Sequence, residues 1–366
     1  MKMTKKLYID ANKPKIITFF IIFVLFYVAN VHAQTFNGFN VNNSIIPHSE
    51  IYSGGPPKDG IPALTDPKFE NISASRWLDD DSRVLGISKN GIAKAYPLNI
   101  MNWHEIVNDQ FGNDYVMVSY CPLCFSGMAF NAKINGTRHI FGVSGLLYNS
   151  DVLLFDRNTE SLWSQIMSRG VSGEYVNTEL ELVPLENTTW LDWRTRHPDT
   201  LILSRDTGYT RDYSRDPYKN YRQSPETIFP VKFRSKGYHP KEIVIGITID
   251  NQAKAYPVIE LSKSGNKIFS DKIANKKVLI EFNSNERSAR IFDANCNLLP
   301  ATTLYWFAWY TFHPDTEIYK TDDKNQHSDT SSCTESRRQD AENVSHVCQY
   351  VNKSNADNVN NCKQNK

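Results

Sequence analysis

The stretch VMVSYCPLCFSGMAF, from Val116 to Phe130, sets Cys121 and Cys124 three positions apart behind an apolar run. Two thiols at that spacing can hold a metal, exchange electrons or close a structural disulfide. A thioredoxin-type dithiol needs its cysteines at the start of a long helix, whose N-terminus lowers the thiol pKa. Here FSGMAFNA follows, contains Gly127 and reads as strand. A c-type haem site needs histidine straight after the second cysteine, and Phe125 stands there. A metal knuckle or a simple disulfide therefore fits better than a thioredoxin-like activity.

Just upstream, NWHEIVND places His104 and Glu105 on a short helix before the cysteine-bearing strand. Two thiolates and one imidazole leave a fourth position open, the pattern of a reactive zinc or copper site, whereas calcium and magnesium prefer oxygen ligands. The expected ligand set is Cys121, Cys124 and His104, with zinc or copper as the cofactor and otherwise none. The competing reading of His104 is a helix-end histidine bonded to backbone. Glu105, Ser144, Tyr148, Asn149, Asp151 and Arg157 are the candidates for the pocket wall; all but Glu105 come from FGVSGLLYNSDVLLFDRNTESLWSQ. That segment reads equally as an edge hairpin carrying a buried Asp–Arg pair. No G-x-S-x-G, Walker loop or H-E-x-x-H occurs, so the common hydrolase and nucleotide readings lack support.

The elements that position these residues repeat along the chain. RVLGISKNGIAKAYPLNIM, from Arg83, returns as IVIGITIDNQAKAYPVIEL, from Ile243. The cysteine stretch aligns with VLIEFNSNERSARIF, from Val278, and WLDWRTRHPDT, from Trp190, aligns with WFAWYTFHPDT, from Trp306. Three matches in one order point to internal duplication, with a long insertion between Phe130 and Trp190 in the first copy only. Asn90-Gly91 and Asn135-Gly136 signal hairpins. LNIMNWHEIV suits a short helix with Ile100, Trp103 and Val107 on one face, and strands follow at Tyr115–Tyr120 and Gly127–Ala132. The expected fold is α+β, two similar strand-rich lobes with antiparallel sheets and short helices. Residues kept in both copies explain themselves by folding, so His197 and His313, Lys94 and Lys254, Tyr96 and Tyr256 read as scaffold. The cysteines have Asn283 and Glu286 as counterparts, so their chemistry belongs to the first copy alone.

The boundaries follow: 1–33 signal peptide, 34–70 lead segment, 71–205 first lobe, 206–236 a Tyr/Arg-rich connection, 237–320 second lobe, 321–366 a disordered polar tail. Lysines precede an apolar run, Ile16–Val31, and Val31-His32-Ala33 forms a small-x-small cleavage site before Gln34. The run is shorter than the roughly 20 residues a comfortable membrane span needs. The formal charge of +1 falls when the Lys-rich start is removed, and a weakly acidic chain without a basic stripe argues against nucleic acid. The tail lacks large aliphatics and carries Cys333, Cys348 and Cys362, an odd number suited to one disulfide plus a spare thiol or to pairing between chains.

Taken together, NWHEIVND, YCPLC, the FGVSGLLYNSDVLLFDRNTESLWSQ segment, RHPDTLILS, AKAYP and WFAWYTFHPDT resemble the domain of unknown function 3179 family, from about Ile72 to Tyr319. The resemblance implies export and this domain organisation, and carries no established activity. Phe125 departs from it, standing where the family has glycine. The expected location is the periplasm or the exterior, with a small molecule or metal ion as partner and a membrane only through an uncleaved N-terminal segment. Two functional classes follow: an exported protein with a Cys/Cys/His metal or redox site, or a non-catalytic binding module whose cysteines form a structural disulfide.

Overall fold

The computed structural model describes residues 35–264 and 267–321. The expected signal peptide and nearly all of the polar tail, with Cys333, Cys348 and Cys362, lie outside the described residues.

Each repeated hairpin forms where its turn chemistry demands. Strands Arg83–Lys89 and Ile92–Pro97 pair in six steps from Val84–Pro97 to Lys89–Ile92, and Ile243–Ile249 and Gln252–Pro257 pair in the equivalent six. Asn90 and Gly91 take φ of 55° and 73°, Asp250 and Asn251 take 47° and 63°. Two left-handed residues make the tight turn whose twist matches antiparallel strands. The Asn135-Gly136 hairpin forms as expected, joining Lys133–Ile134 to Thr137–Arg138.

Pro97 supplies an extended N-cap, and the helix Leu98–His104 buries Leu98, Ile100 and Met101. It is shorter than the sequence pattern suggests. Glu105 turns left-handed at φ 58°, and Ile106–Phe111 becomes a strand paired to Asp114–Cys121. Val107 therefore belongs to a sheet rather than to the helix face. The β-branched pair Ile106-Val107 packs better on a pleated sheet than in a helix.

The α+β, two-lobe expectation is overturned. The chain is strand-rich, and its five sheets of three to five strands are arranged as a five-bladed β-propeller. The pairs are mainly antiparallel, as expected, with parallel contacts at Leu201–Leu203, Leu64–Thr65 and Glu317–Ile318. The recurring segments supply two sheets each: Arg83–Pro97 and Ile106–Asn131 from the first, Ile243–Pro257 and Lys267–Phe292 from the second. The insertion, completed by the lead-segment strand Ile51–Ser53, builds the fifth sheet, in the order Arg169–Ser172, Leu162–Ser164, Asp151–Asp156, Phe141–Tyr148 and Ile51–Ser53. Two lobes also fail on packing. The largest core cluster joins Leu85, Tyr96, Phe130 and Trp163 to Val244, Leu304, Trp306 and Trp309, so the halves pack into each other, although Ile245, Tyr256, Phe269 and Ile280 form a smaller cluster of the second half alone.

The residues kept in both halves do similar structural work. Trp193 and Trp309 stack on His197 and His313 with centroids 4.0 Å apart in each case. Their indole N–H groups donate to Thr200 and Thr316 at 2.9 Å. Lys94 and Tyr96 converge on Asp109, as Lys254 and Tyr256 do on Asp271.

Candidate metal centre

Cys121 ends the strand Asp114–Cys121, and Cys124 sits in the loop that returns to Ser126–Asn131. Cys121 pairs in register with Ser126, so both sulfurs lie at one hairpin tip. The counterpart loop has the same register, Asn283 opposite Ser288, and in each the residue before the return strand is left-handed: Phe125 at φ 58°, Arg287 at 48°. Phe125 therefore occupies a position that glycine would take without strain. It is held there by stacking on Tyr305, centroids 5.3 Å apart, while the Tyr305 N–H donates to the Cys124 carbonyl at 2.8 Å.

The insertion sheet brings the third member. Asn149 and Ser150 take φ of 51° and 66° and form a two-residue turn in which Tyr148 pairs with Asp151. That turn points the Ser150 carbonyl at the thiols, 3.3 Å from Cys124 Sγ and 4.0 Å from Cys121 Sγ. One ligand atom each from Cys121, Cys124 and Asp151 lies within 4.8 Å of the others, and all three residues are buried. Both cysteines are free thiols. Asp151 Oδ2 accepts the Ile166 N–H at 3.0 Å, while Oδ1 is buried with no hydrogen-bond partner.

Burial dominates the electrostatics. It pushes the Asp151 carboxyl up to about 7 against the opposing backbone N–H groups of Ile166 and Val152. Burial, and then Asp151 itself, raise Glu105 to about 8. The Cys124 thiol is likewise raised, by burial first and by Cys121 second. Burial thus favours the neutral forms of the Cys124 thiol and the Glu105 carboxyl rather than activating a nucleophile. Behind them Gln165 Nε2 donates to Ser119 Oγ at 2.9 Å and to the Ser126 carbonyl at 3.3 Å, fixing the two cysteine-bearing strands.

His104 is not in this group. Its Nδ1 faces the Pro62 carbonyl at 2.8 Å and its Nε2 the Tyr213 hydroxyl at 2.7 Å, so both ring nitrogens are engaged elsewhere. The carbonyl can only accept, which places the proton on Nδ1. The structure thus assembles Cys/Cys/Asp where the sequence suggested Cys/Cys/His, because the helix ends at His104 and the left-handed Glu105 redirects the chain.

The other pocket candidates divide. Asn149 lies in the turn itself, its Oδ1 accepting the Lys232 N–H at 2.9 Å. Ser144 donates to the Leu153 carbonyl and accepts the Leu146 N–H at 3.0 Å, bracing a bulge between Val143 and Leu146. Tyr148 packs edge-on against Phe312. Arg157 makes a bidentate pair with Asp59 at 2.6 and 2.8 Å, about two-fifths exposed. Neither Ser144 nor Arg157 points a free group at the thiols.

The connection contributes what the sequence pattern did not single out. Tyr221 Oη donates to the Leu123 carbonyl, inside the C-x-x-C loop, at 3.0 Å. Arg222 reaches Asn102 Oδ1 at 3.3 Å, and Tyr218 lies near enough to Glu105 and Cys121 for their charges to raise its phenol beyond the effect of burial. Residues 213–232 thus strap the site at His104, Leu123, Asn102 and Asn149. Alternating Tyr and Arg was the only available signal.

No curated protein and no solved structure gives a significant match to the chain. Residues 58–316 match the family described as protein of unknown function (DUF3179), and on that span the chain belongs to this family.

Proposed function

We propose that this chain is an exported metal-binding protein in which Cys121, Cys124 and Asp151 hold one zinc ion. The observation that carries the reading is the buried cluster of the Asp151 carboxyl and two free thiols, with one ligand atom of each within 4.8 Å of the others. An unpaired carboxylate in a dry interior is costly, and a divalent cation offsets that cost for three acidic groups together. Bonds of roughly 2.3 Å to sulfur put two tetrahedrally bound sulfurs about 3.8 Å apart, a modest closure from a group spanning up to 4.8 Å. The oxygen donor shifts the fit from copper(I), which favours soft ligands, toward zinc.

A zinc ion held by Cys121, Cys124 and Asp151 would supply Lewis acidity at this site. Glu105, buried and raised further by Asp151, is the carboxyl assigned to hold a proton beside the site. Export rests on the Lys-rich start, the apolar run and Val31-His32-Ala33; a mature chain beginning near Gln34 by intact mass is the expected result. The matched hairpin registers support an origin by duplication, with the second copy having lost the thiols.

Metal content of the purified chain, with thiols counted under denaturing conditions, tests the reading. One zinc per chain is expected, lost in Cys121→Ser and Asp151→Asn and kept in His104→Ala. Loss in His104→Ala and Cys121→Ser with metal kept in Asp151→Asn would restore the Cys/Cys/His set. Absence of both metal and free thiols at positions 121 and 124 would favour the binding module with a structural disulfide.

A further inference from the structure

A cleft of about 710 Å³ is lined by Glu70, Trp77, Arg205, Tyr209, Arg211 and Tyr213, the last of these bonded to His104. That volume falls within the range of small-molecule sites. Its back wall is prebuilt. With the Nδ1 proton of His104 spent on Pro62, Nε2 accepts from the Tyr213 hydroxyl, which accepts in turn from Thr207 Oγ1 at 2.6 Å. The phenol is thereby fixed in both directions. Tyr209 lies against the same imidazole, centroids 5.5 Å apart, and is 45% exposed, offering its ring to the cleft.

The cleft carries charges of both signs. Asp206 is ion-paired with Lys68, while Glu70 and Asp212 keep their charge and accept from Ser204 and from the Ser214 N–H at 3.1 Å. The arginines are the cationic groups that line it. Arg211 donates only to the Thr210 carbonyl, at 3.0 Å, and Arg205 lies over the Trp77 ring at 4.8 Å. Among the described residues neither is ion-paired to a carboxylate. A guanidinium presents a planar fork that matches a carboxylate in two parallel hydrogen bonds, and an exposed tyrosine ring is a stacking platform.

We propose that this cleft is a second site, separate from the metal centre, which binds a carboxylated six-membered ring: the ring on Tyr209, the carboxylate on Arg205 and Arg211. A hexuronic acid and an aromatic acid share that chemistry. The inference does not rest on the zinc reading and is tested on the full chain whatever its metal content.

Titration calorimetry with galacturonate, benzoate and galactose, followed also by tryptophan fluorescence, is the experiment. At least one acid is expected to bind at millimolar concentration or better, with galactose at least tenfold weaker; the tighter acid identifies the source. Arg205→Ala/Arg211→Ala should weaken that binding tenfold or more while the thermal melt stays that of the wild type. Arg211→Lys, which keeps the charge and loses the fork, should fall between. Binding of neither acid, equal binding of galactose, or undiminished binding by the double variant would overturn the assignment.

Discussion

Glu105 gives the sharpest quantitative expectation. Burial, and then Asp151, raise its carboxyl from the ordinary 4.5 to about 8. Between those values the folded chain holds a proton that the unfolded chain has released. Stability therefore falls as pH rises through that window, and the loss is complete above the folded value. At about 1.4 kcal/mol per pKa unit, the ideal loss is about 3 kcal/mol at pH 7 and about 5 kcal/mol above pH 8. Relaxation and water entry reduce such ideal figures, so about 2–4 kcal/mol is expected. Glu105→Gln mimics the protonated acid at every pH. Urea denaturation of metal-free, reduced protein between about pH 4 and 8.5 should give coincident stabilities at the acid end. At the alkaline end the variant should be about 2–4 kcal/mol more stable, since titrations common to both proteins cancel in the difference. Zinc should flatten the wild-type curve, because the cation favours the ionised carboxylates around it. Parallel curves for wild type and variant across the whole range would refute the claim that Glu105 is buried against Asp151.

A Cβ on Gly86 would sit 2.3 Å from the Trp193 ring, and one on Gly246 2.2 Å from Trp309; Gly86→Ala and Gly246→Ala should each cost about 1–3 kcal/mol or more in urea, whereas Gly91→Ala, with open space around it, should show only the cost of its left-handed turn. Phe125→Gly relieves a left-handed residue, worth about 1 kcal/mol, but removes a buried ring stacked on Tyr305, worth about 3–5 kcal/mol; a net loss in thermal stability with zinc content retained is expected. Tyr221→Phe deletes the hydrogen bond to Leu123, worth about 1 kcal/mol, and should speed alkylation of Cys124 in metal-free protein more than it lowers global stability.

Much of the local structure was legible because it is written in turn chemistry. Asn90-Gly91 and Asn135-Gly136 announce their hairpins, and both form where expected. The class of fold was not legible. Short antiparallel strands with turn signals are common to lobes, sandwiches and propellers, and the decision among them is made by non-local packing. Trp306, Trp309 and Leu304 join the first half's core rather than closing a core of their own, and nothing in WFAWYTFHPDT distinguishes those two fates. The strand Ile106–Phe111 was hidden for a related reason: NWHEIV is helix-compatible until the left-handed Glu105 breaks it.

The site shows the same division between local and distant information. Comparing the two repeats isolates the first-copy cysteines, and the structure keeps them at one hairpin tip. It fails on the third member of the cluster, because the comparison ranks residues by what the matching segment lacks and cannot say where the insertion will fold back. His104 and Asp151 both belong to the first copy, one near in sequence and one distant. Nearness favoured the histidine. The Asn149-Ser150 turn delivers the aspartate instead, while His104 is drawn toward Tyr213, a residue of the connection. Both assignments were set by segments that look like linkers in sequence. The insertion's Ser150 and Asp151 and the connection's Tyr221 both reach the cysteine loop, so the site belongs to their junction rather than to the C-x-x-C alone.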